Sequence, residues 1–155
     1  MPLSETHQEI RRAARRFADE VVRPQAEALD RDETFPRDIY RQMGELGLFG
    51  ITTPAELGGA GLDALAYALV MEELSRGYAS IADQCGLYEL IATLLSVHGT
   101  PEQQAKWLGR LLRADFRPAY CITEAEAGTD VSGIRDRKSV EFGNSVDIGG
   151  GGIIK

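Results

Sequence analysis

Apolar side chains recur along most of this chain at the three-to-four-residue spacing of amphipathic helices. Ile10, Ala13, Ala14, Phe17 and Val21 mark the first such stripe. Thr6 followed by Glu9 predicts a capping box at its start, because each side chain can satisfy an amide left open by the first turn. Pro24 has no N–H and crowds the carbonyl of Glu20, so the helix is expected to kink or stop there before resuming over residues 25–30. The polar stretch DRDETF, residues 30–35, reads as a loop.

Pro36 suits the first position of a second helix, with Ile39, Met43 and Leu46 facing inward and Gly47 or Gly50 closing it in a left-handed cap. ITTPAELGGAGLD, residues 51–63, is a Gly- and Pro-rich loop. Its GGAG lacks both the GxGxxG spacing and a preceding strand, so a tight interhelical turn is expected rather than a phosphate cradle. Asp63 can cap the next helix, whose Leu65, Ala68, Leu69 and Leu74 are expected inside and Glu72, Glu73 and Arg76 outside, with Gly77 ending it. Ser80 and Asp83 open the most apolar segment. Leu87, Leu90, Ile91, Leu94 and Leu95 wrap widely around it, which suits either a central core helix or the wall of an apolar pocket, core being the default.

Thr100, Pro101 and Gln103 combine a cap, an N-terminal proline and a capping-box partner, and Trp107, Leu108, Leu111 and Leu112 supply the buried face that follows. The helical period then gives way. AYCITE, residues 119–124, is β-prone and too short for a helix, and AEAGTD carries turn residues. Beyond VSGI there is no helical period, one weak strand candidate and four consecutive glycines. The pattern therefore predicts a mainly α chain of several helices leading into one short strand.

A chain of 155 residues that is 43% hydrophobic can bury one core, so a single compact domain is the starting expectation. With 24 acidic against 17 basic residues the net charge is -7, which argues against nucleic acid or an anionic membrane as partner. Cys85 and Cys121 form no CxxC and lie in apolar neighbourhoods, so both are expected to be buried thiols of a reducing compartment. The start of the chain has early acidic residues and no unbroken apolar run, unlike a signal peptide or a membrane span. Its Arg-rich amphipathic character leaves a transit peptide open; the expected location is the cytoplasm.

Two histidines, no Ser/His/Asp arrangement and no metal-ligand spacing leave little for nucleophilic or metal catalysis. His98 is expected to complement a helix C-terminus and His7 to be solvated. Asp30, Asp32 and Glu33 read as a charged loop, and Glu72 and Glu73 as helix surface. YCITEAEAGTD, residues 120–130, is different. An extended backbone, the hydroxyls of Thr123 and Thr129, and the close approach allowed at Gly128 together suit a flat, polar, partly anionic ligand, although from the spacing alone a plain strand and turn is the better reading.

The order of MGELGLFGITTPAELGGAGLD, EELSRGYAS, HGTPEQQAKWLGRL and AYCITEAEAGTDVSGIR resembles the amino-terminal part of the acyl-CoA dehydrogenase family over most of residues 5–135. TPEQQAKWL closely followed by TEAEAGTD is the specific combination. The resemblance implies an up-down, bundle-like helical domain over residues 1–118 and the start of a flavin-contacting β domain over 119–137, with a β segment near 119–123. It also implies FAD as cofactor, an acyl-CoA thioester as substrate, an electron-transfer flavoprotein or similar electron acceptor, and a homo-oligomer. Tyr120, Ile122 and Thr123 would contact the isoalloxazine ring, Gly128 and Thr129 the phosphate side or substrate entrance, and Leu87, Leu90 and Leu94 the acyl chain.

No residue of the chain matches the family's catalytic glutamate, which belongs to a later helical domain. Residues 138–155 depart from the family pattern and are left as an unassigned Gly-rich tail; a truncation with a non-native end is the expectation. Oxidases and monooxygenases on the same scaffold are alternatives, as is a flavin-free helical interaction module.

Overall fold

The computed structural model describes residues 2–125 and 127–134. The chain divides after Tyr120 into two units. The unassigned Gly-rich tail over 138–155 lies outside the described residues.

Among the described residues, the regular elements of the first unit are all helical. Helix α1 (Glu5–Phe17) starts at Ser4, whose Oγ accepts from the His7 amide at 3.2 Å. The cap is thus Ser4, not Thr6, two residues earlier than the capping-box pattern suggested. Ahead of Pro24 the chain neither stops nor restarts. It widens into a π turn (Ala18–Val22) and passes directly into α2 (Arg23–Asp32), with Pro24 in the first turn of the new register. The wider turn removes the need for an amide at the proline, which accounts for the continuity. Helix α2 runs on into the expected loop as far as Asp32 and ends at Glu33, left-handed at φ 48°.

Helix α3 (Arg37–Glu45) buries Ile39, Tyr40 and Met43, and Gly47 follows with φ +71°, one of the two glycines expected to close it. Leu46 lies past the helix end and is 56% exposed rather than inward. The loop to α4 folds on itself: the amides of Ala60, Gly61 and Leu62 donate to the carbonyls of Gly50, Thr53 and Ile51 at 2.8–2.9 Å. A Cβ at Gly59 would stand 2.1 Å from the Thr53 carbonyl oxygen, so only glycine permits this closure.

Helix α4 (Ala64–Gly77) is capped by Asp63, which accepts from the Ala66 amide. Its buried positions are Ala66, Leu69, Val70, Glu73 and Leu74. This face is rotated from the expected one: Leu65 is 45% exposed and Ala68 lies outside, because buried Glu73 faces α1. Helix α5 (Ala79–His98) is the long central element. The short α6 (Pro101–Gln103) has the expected Thr100/Gln103 capping box, and a second π turn (Gln104–Leu108) leads to α7 (Gly109–Leu112). That π turn places the Gln104 side chain under the end of α5, where its Nε2 donates to the carbonyls of Leu95, Ser96 and Gly99. The Ser96 carbonyl near the end of α5 and the Gly99 carbonyl just past it find a donor there, whereas that of Leu95 also accepts from the Gly99 amide.

Residues 119–123 form no strand. A strand needs a partner across a ladder, and the β character that remains among the described residues is one isolated bridge between Glu124 and Ala127. A 3-10 turn (Val131–Gly133) follows in the second unit.

Candidate functional site

Two faces of α5 differ in character. Ile81, Ala82, Cys85, Tyr88, Glu89, Ala92 and Leu95 are buried and fill one arc of the helix. At about 3.6 residues per turn, Leu87, Leu90, Leu94 and Val97 occupy the opposite arc. Leu90 is 39% and Val97 65% exposed, and Leu87 and Leu94 are half-buried. The structure therefore brings the three candidate leucines together as an apolar stripe that the core leaves uncovered. Leu95 alone of the wide leucine set is fully in the core.

What sets this rotation is polar. Glu89 is buried, and its carboxylate accepts from the amides of Ile51 at 2.9 Å and Thr52 at 2.7 Å and from the Thr52 hydroxyl at 2.5 Å. A buried carboxylate needs such donors, so Glu89 ties α5 to the loop after α3. One turn earlier the Cys85 thiol donates to the Leu48 carbonyl at 3.1 Å, and burial pushes its pKa up to about 12. Tyr88 stacks on Phe49 with ring centroids 4.0 Å apart and donates its hydroxyl to the Phe116 carbonyl at 3.0 Å. With these three positions held inward, the leucine stripe can only face out.

The other candidate residues lie on a segment of different type. Tyr120, the last residue of the first unit, is 44% exposed. In the second unit Ile122 is 36% exposed and Thr123 is exposed. Among the described residues, no amide or carbonyl of 119–123 enters a backbone–backbone hydrogen bond, and neither the Thr123 nor the Thr129 hydroxyl has a partner. Glu124 and Ala127 close the turn through reciprocal bonds of 2.9 and 3.2 Å. Among the described residues other than its chain neighbours, a Cβ at Gly128 would meet nothing within 4 Å, and the Asp130 carboxylate accepts from the Ser132 hydroxyl at 2.5 Å. The segment thus presents open donors and acceptors, two hydroxyls and an uncrowded glycine. Cys121, expected buried, is exposed.

Two polar clusters escaped the sequence reading. Ser4 Oγ lies 2.7 Å from His7 Nδ1, and His7 Nε2 lies 2.8 Å from Asp63 Oδ1, so a Ser/His/Asp row does exist and His7 is not free in solvent. Both ends of the row are helix caps, and it joins the starts of α1 and α4. The bond from His7, then the Ala66 amide, hold the Asp63 carboxyl below its ordinary range. Glu73, expected on the surface, has a fully buried carboxylate paired with Arg11, Arg15 and Arg76. Its position three and four residues from buried Val70 and Leu69 was the available signal, overridden by its charge. Among the described residues no group of His, Cys, Asp or Glu is placed to hold a metal, and no helix is long and apolar enough to cross a membrane.

Residues 4–115 match the model of the acyl-CoA dehydrogenase N-terminal domain. The chain is 40% identical over 136 residues to (2S)-methylsuccinyl-CoA dehydrogenase of Cereibacter sphaeroides, a match covering 87% of this chain and 25% of that protein. Among solved structures it resembles one described as the electron transferring flavoprotein of Acidaminococcus fermentans, with a TM-score of 0.79 and 35% identity over 86% of this chain and 35% of that one. It also resembles an acyl-CoA dehydrogenase complexed with FAD from Bacillus anthracis, with a TM-score of 0.76 and 32% identity over 85% and 23% of the two chains. It thus spans about a third or less of the length of these relatives. The helical order, the match over residues 4–115 and these likenesses agree: the chain belongs to the acyl-CoA dehydrogenase family.

Proposed function

We propose that the protein takes part in the FAD-dependent α,β-dehydrogenation of an acyl-CoA thioester, with this chain supplying an acyl-contacting helix face and a flavin-contacting segment. The observation that carries the reading is the uncovered stripe of Leu87, Leu90 and Leu94 on α5 in a member of this family. An apolar face held outward by buried polar anchors on the same helix suits an acyl chain. Residues 1–118 are then the helical domain, and 119–137 the start of the β domain.

Tyr120, Ile122, Thr123, Gly128 and Thr129 are the residues that would hold FAD. Their chemistry fits the group: unpaired backbone donors and acceptors and the Thr123 hydroxyl suit the polar edge of a flat ring, the side chains of Tyr120 and Ile122 its face, and Gly128 with Thr129 an anionic end. Bound FAD supplies the acceptor for the β-carbon hydride, which amino-acid side chains do not offer. No residue of this chain is assigned the removal of the α proton. An electron-transfer flavoprotein is the proposed electron acceptor and a homo-oligomer the proposed assembly.

Flavin binding tests the reading. FAD fluorescence should be quenched on titration with the chain, less so with Thr123→Val at unchanged helicity, and the chain should not reduce an artificial acceptor when given acyl-CoA. Equal quenching by the variant would remove Thr123 from the site. No quenching by either would remove the flavin assignment from this chain.

A further inference from the structure

At Gly86 the surface of α5 is interrupted. This residue stands immediately before Leu87 and four before Leu90, so the missing side chain falls at the flank of the leucine stripe. The gap is filled from α4. A Cβ at Gly86 would lie 3.2 Å from the Tyr67 phenol oxygen and 3.4 Å from the Met71 methyl carbon, and apart from its chain neighbours and the backbone of its own helix no other described atom comes within 4 Å. Tyr67 and Met71 are themselves one turn apart on α4, so the two tips form a single plug over the glycine.

The phenol does nothing else that the structure shows. Tyr78 and Tyr88 spend their hydroxyls on Asp30 and Phe116, whereas the half-buried Tyr67 hydroxyl makes no hydrogen bond among the described residues. Its ring is fixed by packing against the core rather than by a polar partner.

We infer that Tyr67 determines acyl size: its ring closes the flank of the Leu87/Leu90/Leu94 stripe over Gly86 and confines the protein to short acyl groups. The inference rests on the reading of that stripe as the acyl contact. Removing the ring would extend the apolar surface across the bare backbone of Gly86 toward α4, making room for additional methylenes. The hydroxyl is not required for this, so a phenylalanine should serve as well.

The test is binding of butyryl-CoA and dodecanoyl-CoA to the full chain, followed by the methyl NMR signals of Leu87, Leu90 and Leu94. Tyr67→Ala should raise the dodecanoyl-to-butyryl affinity ratio roughly tenfold, the discrimination expected of a few methylenes in an apolar pocket. Tyr67→Phe should leave the ratio unchanged, and Tyr67→Leu, which keeps more of the packing, should raise it in the same direction. An unchanged ratio in both Tyr67→Ala and Tyr67→Leu, with the leucine methyls still shifting, overturns the role of Tyr67 and leaves the acyl stripe standing. If neither thioester shifts those methyls in any variant, the stripe is not the acyl contact and the inference falls with it.

Discussion

Arg15 grips Glu73 with two nitrogens, Nη2 at 2.6 Å from one carboxylate oxygen and Nε at 2.9 Å from the other. This clamp closes α1 onto α4. Arg11 and Arg76 add bonds of 2.8 and 2.7 Å, so the carboxylate is buried while its three arginines remain 34–48% exposed. Arg15 foremost, then Arg11 and Arg76, outweigh burial and lower the Glu73 pKa from its ordinary 4.5 to about 2.

Because the folded-state pKa is the depressed one, the stabilisation is fully present above about pH 4.5 and is lost as the pH falls toward 2. Glu73→Gln should cost about 1–3 kcal/mol at pH 7, the lower part of the range for buried charged bonds because the arginines can return to water. Urea denaturation at pH 7, 5 and 3 checks this. The gap between wild type and variant should be the same at the first two and smaller at the third; a gap undiminished at pH 3 would mean that the carboxylate charge is not the anchor.

Glu89 does for the 51–52 loop what Glu73 does for α1, with neutral donors instead of cations. Glu89→Ala would leave the buried amide of Ile51 without its acceptor, a loss of roughly 2–3 kcal/mol. Hydrogen exchange distinguishes this from general weakening. The amides of Ile51 and Thr52 should lose protection well beyond those of α1, whereas uniform loss along the chain would contradict a local anchor.

The two thiols should differ sharply in reactivity. Cys85 is buried and its pKa is pushed up to about 12, first by desolvation and then by Glu89, so almost no thiolate forms near neutrality. Cys121 is exposed. A thiol-specific chromogenic reagent at pH 8 should titrate one thiol in the native chain and two in denaturant, and Cys121→Ser should abolish the native reaction.

The helices, most of their stop signals and the Thr100 cap were legible because they depend on local spacing and local backbone chemistry. Rotation of the helices was not. In α4 and α5 the inward face is chosen by Glu73 and Glu89, whose partners lie on other elements and whose charge argues for the surface when the sequence is read alone. The same blindness hid the Ser4–His7–Asp63 row, since Asp63 is 56 residues from His7. The candidate site fared in proportion: Leu87, Leu90 and Leu94, which share the open face, were singled out from the wider apolar set only through the family resemblance, and the strand expected at 119–123 lacks the partner that would make it one.

The open stripe leads to a variant that separates folding from function. Leu90 is 39% exposed and lies outside the core arc of α5, so Leu90→Asp removes little burial and should change stability by no more than about 0.5 kcal/mol. The same carboxylate would stand in the middle of the proposed acyl contact, between Leu87 and Leu94. There a charge brought against an alkyl chain must be desolvated without a partner, and acyl-CoA affinity should fall at least about tenfold. Ala92→Asp is the contrasting change: Ala92 is fully buried, and the variant should unfold. If Leu90→Asp also unfolds, α5 has no free face. If it folds and binds acyl-CoA as well as wild type does, the leucine stripe faces something other than substrate.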